Sequence, residues 1–229
     1  MADELTSRFS NLWNELNAKN AEYEYALLKE NYSTPKRYYH TLENHIQKVL
    51  FEFDNVKHLA TNPKAIELAI WYHDAICYPK RMDNEERSAE LLLSLEIRSG
   101  INSQVIQESY RLVLATKHDR LNTNYGFLPL SMDEQIIIDC DLASLGKSEK
   151  EFAENNFKVW KEYSNVPKEI YAEKRIEILQ EFLNRKTIYN LNFFKDRYER
   201  QARINLTKTI NNLKKENNIN LDYYNMYYT

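Results

Sequence analysis

Apolar residues recur along most of this chain at steps of three and four, the period of an amphipathic helix. The pattern predicts helices over residues 5–17, 21–31, 42–58, 63–77, 84–95, 104–117, 133–145, 150–163, 168–188 and 193–216. Breakers stand between them: Thr34 with Pro35, Asn62 with Pro63, Tyr78 with Pro79, Ser99 with Gly100, a polar run at 119–126, and Val166 with Pro167. Three glycines in 229 residues are too few for hairpins, dinucleotide-binding turns or phosphate-cradling loops, all of which need positive φ. No segment reads as a linker or a repeat. The expectation is one all-α domain over 1–229, a compact helical bundle in which the helices of 150–216 pack on a part at about 37–145 that holds the candidate site residues.

Two predicted helices carry histidines where the stripe calls for apolar side chains. In the first, Leu42, His45, Val49, Phe53 and Val56 share one face, so His45 points to the core. In the next, Ile66, Ala69, Ile70, His73 and Cys77 share a face, and Asp74 lies about 100° further round. A third departure is the stretch MDEQIIIDCDLASLG, where Asp139 and Asp141 sit among isoleucines and leucines. A lone histidine on an apolar face is usually a hydrogen-bonded core residue, and a lone aspartate is usually a cap. The combination is another matter, because buried carboxylates are costly unless a cation or donors meet them. Two imidazoles and two carboxylates form a mixed N/O set suited to a divalent metal with open positions, and ill suited to a closed structural zinc site.

Composition narrows the remaining classes. Charged residues at 28% and hydrophobic ones at 43% are ordinary for a globular protein, and a net charge of −3 gives no reason to expect a nucleic-acid polymer or a membrane surface as partner. The N-terminal MADELTSRFSNLWNEL has acids where a secretory signal needs bases, and no window reaches the length of a membrane span. Cys77 and Cys140 are too few for a disulfide framework and read as small core residues. A soluble, cytoplasmic protein is expected.

Taken in order, RYYHTLENHI, ELAIWYHDAICY, DNEERSAELL, LATKHD, IIIDCDLASLG and RIEILQEFLNRKTIY resemble the HD superfamily of metal-dependent phosphohydrolases. The likeness is closest to a group of small bacterial predicted HD phosphohydrolases, and it covers most of the chain from Arg37 onward. The Tyr-His…His pattern before a helix, followed by His-Asp, is also similar to the catalytic domain of cyclic-nucleotide phosphodiesterases. The resemblance implies His45, His73, Asp74 and Asp141 as ligands of one divalent ion per chain, from among manganese, iron, cobalt, nickel, magnesium and zinc. It implies His40 as the general acid, with Asp74 also in the catalytic set. Those families have three residues between the paired histidines, whereas this chain has four, Thr41 to Asn44, so His40 stays open as the ligand. Thr41 is a candidate N-cap, which would leave His40 ahead of the helix.

The implied activity is hydrolysis of a small phosphate ester, nucleotide-like by resemblance, through metal-activated water and a protonated imidazole. His118 is a candidate further ligand or substrate contact, or else a histidine favoured at a helix C-terminus. Glu85 and Glu86 are candidate supporting acids or ordinary first-turn acids behind an Asp83 or Asn84 cap. Arg37, Lys117, Arg175 and Arg185 are candidate phosphate contacts, and His58 reads as surface. Two other readings stay open: an HD-type di-iron oxygenase, which needs extra histidine ligands, and a helical binding or regulatory module without turnover.

Overall fold

Helices form nearly all the regular structure, and no strand occurs among the described residues, which in this computed structural model are 2–79, 81–118 and 129–216. The all-α expectation holds. The polar run at 119–126 lies outside the described residues. No helix among the described residues is long and apolar enough to cross a membrane.

The backbone divides into two units, Met1–Asp141 and Leu142–Thr229. The first contains α1 (Ala2–Glu15), α2 (Ala21–Tyr32), a π turn (Leu42–Ile46) running into α3 (Gln47–Val56), α4 (Pro63–Tyr72), α5 (Asn84–Leu93), α6 (Leu95–Ser99), α7 (Ser103–Ala115) and most of α8 (Met132–Leu142). Its centre is α4, in which every residue from Ala65 to Tyr72 is buried. Pro63 opens this helix and the Asn62 side chain accepts from the Ala65 N–H, so the start is fixed by capping. Helices α1, α3, α5 and α7 pack around it. From α1, Leu5, Phe9, Leu12 and Trp13 point inward at helical spacing; Phe9 stacks on Trp13 at 4.1 Å and meets Trp71 edge-on at 5.2 Å.

Charged groups enter this core only with partners. Glu67, on the buried helix, accepts from Arg8 at 2.8 Å and Lys57 at 3.2 Å. Glu24 is fully buried on α2 and is gripped through both carboxylate oxygens by Arg98, at 2.8 and 2.7 Å. Gly100, which ends α6 at φ +69°, supplies the left-handed residue that a helix end favours.

The second unit contains a 3₁₀ turn (Ala143–Gly146), α9 (Glu149–Glu162), α10 (Lys168–Asn184), α11 (Asn192–Phe194), a π turn (Lys195–Glu199) and α12 (Arg200–Glu216). Gly146 is required here, because a Cβ would come within 2.4 Å of the Tyr198 Cβ. The sequence pattern predicts that the helix beginning at 168 runs to 188, but it stops at Asn184. Arg203 of α12 donates to the carbonyls of Leu183, Arg185 and Lys186, and so caps that end with a side chain rather than with glycine or proline.

Candidate metal centre

Two local departures from regular helix shape the site. The stretch expected as one helix from 42 opens as a π turn, in which the Thr41 carbonyl accepts from both the His45 N–H (3.1 Å) and the Ile46 N–H (3.2 Å). Thr41 does cap it, its hydroxyl accepting from the Asn44 N–H at 3.1 Å. The helix expected to run to Cys77 instead ends at Tyr72, with His73 still helical at its C-cap. Beyond it the main chain turns away. Arg37 takes the Asp74 and Ala75 carbonyls, and the Ser88 hydroxyl of α5 bonds both the N–H and the carbonyl of Ile76. Cys140 is buried as expected, whereas Cys77, past the early stop, is only half-buried.

Four side chains meet at one point in the first unit. His45 Nε2 lies 2.9 Å from His73 Nε2, 3.0 Å from Asp74 Oδ2 and 3.2 Å from Asp141 Oδ1. His73 Nε2 lies 3.2 Å from Asp74 Oδ2 and 3.6 Å from Asp141 Oδ1. Both histidines are buried, and the carboxylates keep a narrow opening, with 19% of the Asp74 side chain and 14% of the Asp141 side chain exposed. His73 Nδ1 faces the Ile70 carbonyl at 2.9 Å. Donation there places a ring hydrogen on Nδ1, so that in the neutral ring the lone pair is on Nε2, the tautomer of a metal ligand.

No protein-family model matches this chain, and comparison with the curated proteins and with solved structures returns no match. The site therefore stands on its geometry. His45 Nε2 has at most one hydrogen to share among three neighbouring acceptors, so hydrogen bonding alone leaves lone pairs crowded together. The His45, His73 and Asp141 ligand atoms fall within 4.8 Å of one another, a spacing that can hold a metal ion. A nitrogen–nitrogen separation of 2.9 Å also suits adjacent ligands at about 2.1 Å from a six-coordinate ion.

The other candidates are distributed around this point. Asp141, not Asp139, reaches the imidazoles; Asp139 is fully buried in α8. His45 rather than His40 is the buried ligand candidate, while the His40 ring stands 5.6 Å from the His45 ring and edge-on to Tyr39. His118, at φ +59° beyond the end of α7, brings Nε2 to 2.9 Å from Asp141 Oδ2, the oxygen turned away from the cluster. Lys117 pairs with Glu86. Arg37 makes its hydrogen bonds to the main-chain carbonyls of His40, Asp74 and Ala75. Arg175 and Arg185 belong to the second unit, where Arg175 bonds Asn156. His58 is exposed. Asp83 occupies the N-cap of α5 without capping it, since its carboxylate is held by Arg81 and Arg87. Ser88 carries little signal in the sequence, only a small hydroxyl on the inner face of α5.

The electrostatics follow from the crowding. Burial pulls the His73 imidazole toward neutrality, but Asp74 and Asp141 outweigh it and raise its pKa well above the usual histidine value. Burial pushes both aspartates up, yet the histidines hold them well below the usual carboxylate range: His73, His40 and His45 act on Asp74, and His118, His45 and His73 on Asp141. Burial also raises the Glu85 carboxyl, with Asp74 and Glu86 adding to the effect and Lys117 opposing it.

In chelated protein these shifts set opposite limits. The lowered aspartates contribute stability above an unfolded pKa of about 3.9, and lose it as pH falls through their folded values. The raised His73 contributes stability that is full below about 6.5 and is lost as pH rises through its folded value. Melting temperature of the metal-free protein is expected to peak between about pH 4 and 6.5. A melting temperature climbing steadily from neutral to alkaline pH would contradict this assignment. Bound metal must displace the His73 proton, so affinity should tighten as pH rises.

Proposed function

We propose that this chain is a metal-dependent phosphohydrolase of the HD type, cleaving a small phosphate ester of nucleotide-like chemistry. The observation that carries the reading is the convergence of His45, His73, Asp74 and Asp141 on one point, the order of residues in which the sequence resembles that superfamily. The π turn supports the same reading. It falls in the interval between the two histidines, where this chain has one residue more than those families, and His45 is buried within it.

In this reading His45, His73, Asp74 and Asp141 hold the ion. When bound, a divalent ion supplies an activated water at neutral pH and neutralises charge on the phosphoryl oxygens. The chain's own residues do the rest. His73 is kept in its ligand tautomer by the Ile70 carbonyl, and His118 steadies Asp141 through its outer oxygen. His40, beside His45 and electrostatically coupled to Asp74, gives its proton to the leaving oxygen as the P–O bond breaks. The test is a panel of nucleotide and simple phosphate mono- and diesters, with protein stripped by chelator and reloaded with each divalent ion in turn. Turnover that disappears on stripping and returns on reloading is expected. No turnover with any ion across the panel would overturn the reading.

A further inference from the structure

Arg37 stands five residues before Leu42, the first position of the apolar stripe, and its charge alone makes it a candidate phosphate contact. Its surroundings point elsewhere. One terminal nitrogen, Nη1, donates to the His40 carbonyl at 3.0 Å and to the Asp74 carbonyl at 2.7 Å; the other, Nη2, donates to the Ala75 carbonyl at 2.9 Å. The guanidinium lies over the Tyr32 ring, 5.0 Å from its centroid, and Tyr32 is itself buried with its hydroxyl on the Trp71 carbonyl at 3.1 Å. Thus one planar fork, backed by one fixed ring, joins the loop bearing His40 to the turn bearing Asp74. Those two segments are 34 residues apart in sequence. The fork geometry matters more than the charge, because the two terminal nitrogens of one planar group reach three carbonyls at once.

Resting on the phosphohydrolase reading, we propose that Arg37 is a positioning residue: it sets the His40 imidazole against the His73–Asp74 ligand pair, and so aligns proton delivery with the metal site. Arg37 touches neither substrate nor ion in this role. It acts through the main chain on either side of the reacting centre.

The test compares wild-type protein with Arg37→Gln and Arg37→Lys, the second keeping charge and stem but not the fork. Two measurements are made: Mn²⁺ affinity by electron paramagnetic resonance, and kcat/KM of Mn²⁺-loaded protein for p-nitrophenyl phosphate and phenyl phosphate. Phenol is the poorer leaving group and depends more on the proton donor. Both variants are expected to lose about tenfold more on phenyl phosphate than on p-nitrophenyl phosphate, and to bind Mn²⁺ about tenfold more weakly. If Gln does not fold, Lys carries the test. Equal losses on both esters with unchanged Mn²⁺ affinity would reduce Arg37 to a folding role and overturn the proposal. So would full recovery by Lys with only KM altered in Gln, the mark of a phosphate contact. If the wild type binds Mn²⁺ but hydrolyses neither ester, the phosphohydrolase reading fails for these substrates, and the affinity arm alone decides: unchanged binding in both variants overturns the positioning role.

Discussion

Tag-free protein reloaded with a divalent ion is expected to retain about one equivalent per chain, and His73→Ala to lose it, with affinity falling by more than about a hundredfold. The size of the effect follows from position. His73 Nε2 lies within 3.6 Å of the three other donor atoms, and its opposite nitrogen is committed to Ile70. Without it, His45 is left as the one imidazole among the described residues within 3.2 Å of both Asp74 and Asp141. Elemental analysis after dialysis measures retention, and circular dichroism confirms that the helices survive. About two equivalents of iron would bring the oxygenase reading forward, with the outer oxygen of Asp141 and His118 as the second ligand pair. No retained metal under any loading would sink the ligand assignment and leave a helical binding module as the better description.

The second large effect separates the two histidines of the opening segment. His40→Ala is expected to keep the metal and to lower kcat by about 10²–10⁴-fold, the usual worth of a general acid. His45→Ala is expected to lose the metal. The structural basis is their unequal burial: His45 is 3% exposed and lies within 3.2 Å of His73, Asp74 and Asp141, whereas His40 lies half-buried before the π turn. Metal content and steady-state kinetics on the same two preparations check this directly. If His40→Ala loses metal and His45→Ala retains it, the roles are exchanged.

Helical periodicity was enough to place His45 and His73 on buried faces, because a histidine that breaks an apolar stripe is visible in one chain. It also separated the helices, since the prolines at 35, 79 and 167 stand between them and Pro63 opens one. The π turn was invisible: residues 42–58 keep an apolar face throughout, and a single extra residue shifts the period too little to register. The early ends of α4 and α10 were equally hidden. Both are set by arginines, Arg37 and Arg203, donating to main-chain carbonyls, and every residue type carries the same carbonyl. The choice of Asp141 over Asp139 needed the rotational setting of α8, which an all-apolar flank does not reveal. Glu24 is another such case, its burial made tolerable by Arg98 far along the chain.

The π turn has a further consequence for how far the sequence ahead of α3 can vary. A residue stored in one turn of wide helix can be gained or shed without moving α3, so the interval between two histidines becomes free to vary while their spatial relation is kept. A chain with the shorter interval, aligned on its first histidine, would set His45 one place off, opposite a residue with a different neighbour in space. A motif defined by fixed spacing therefore passes over chains of this kind, whereas one defined by which histidine faces the buried carboxylates would gather both forms.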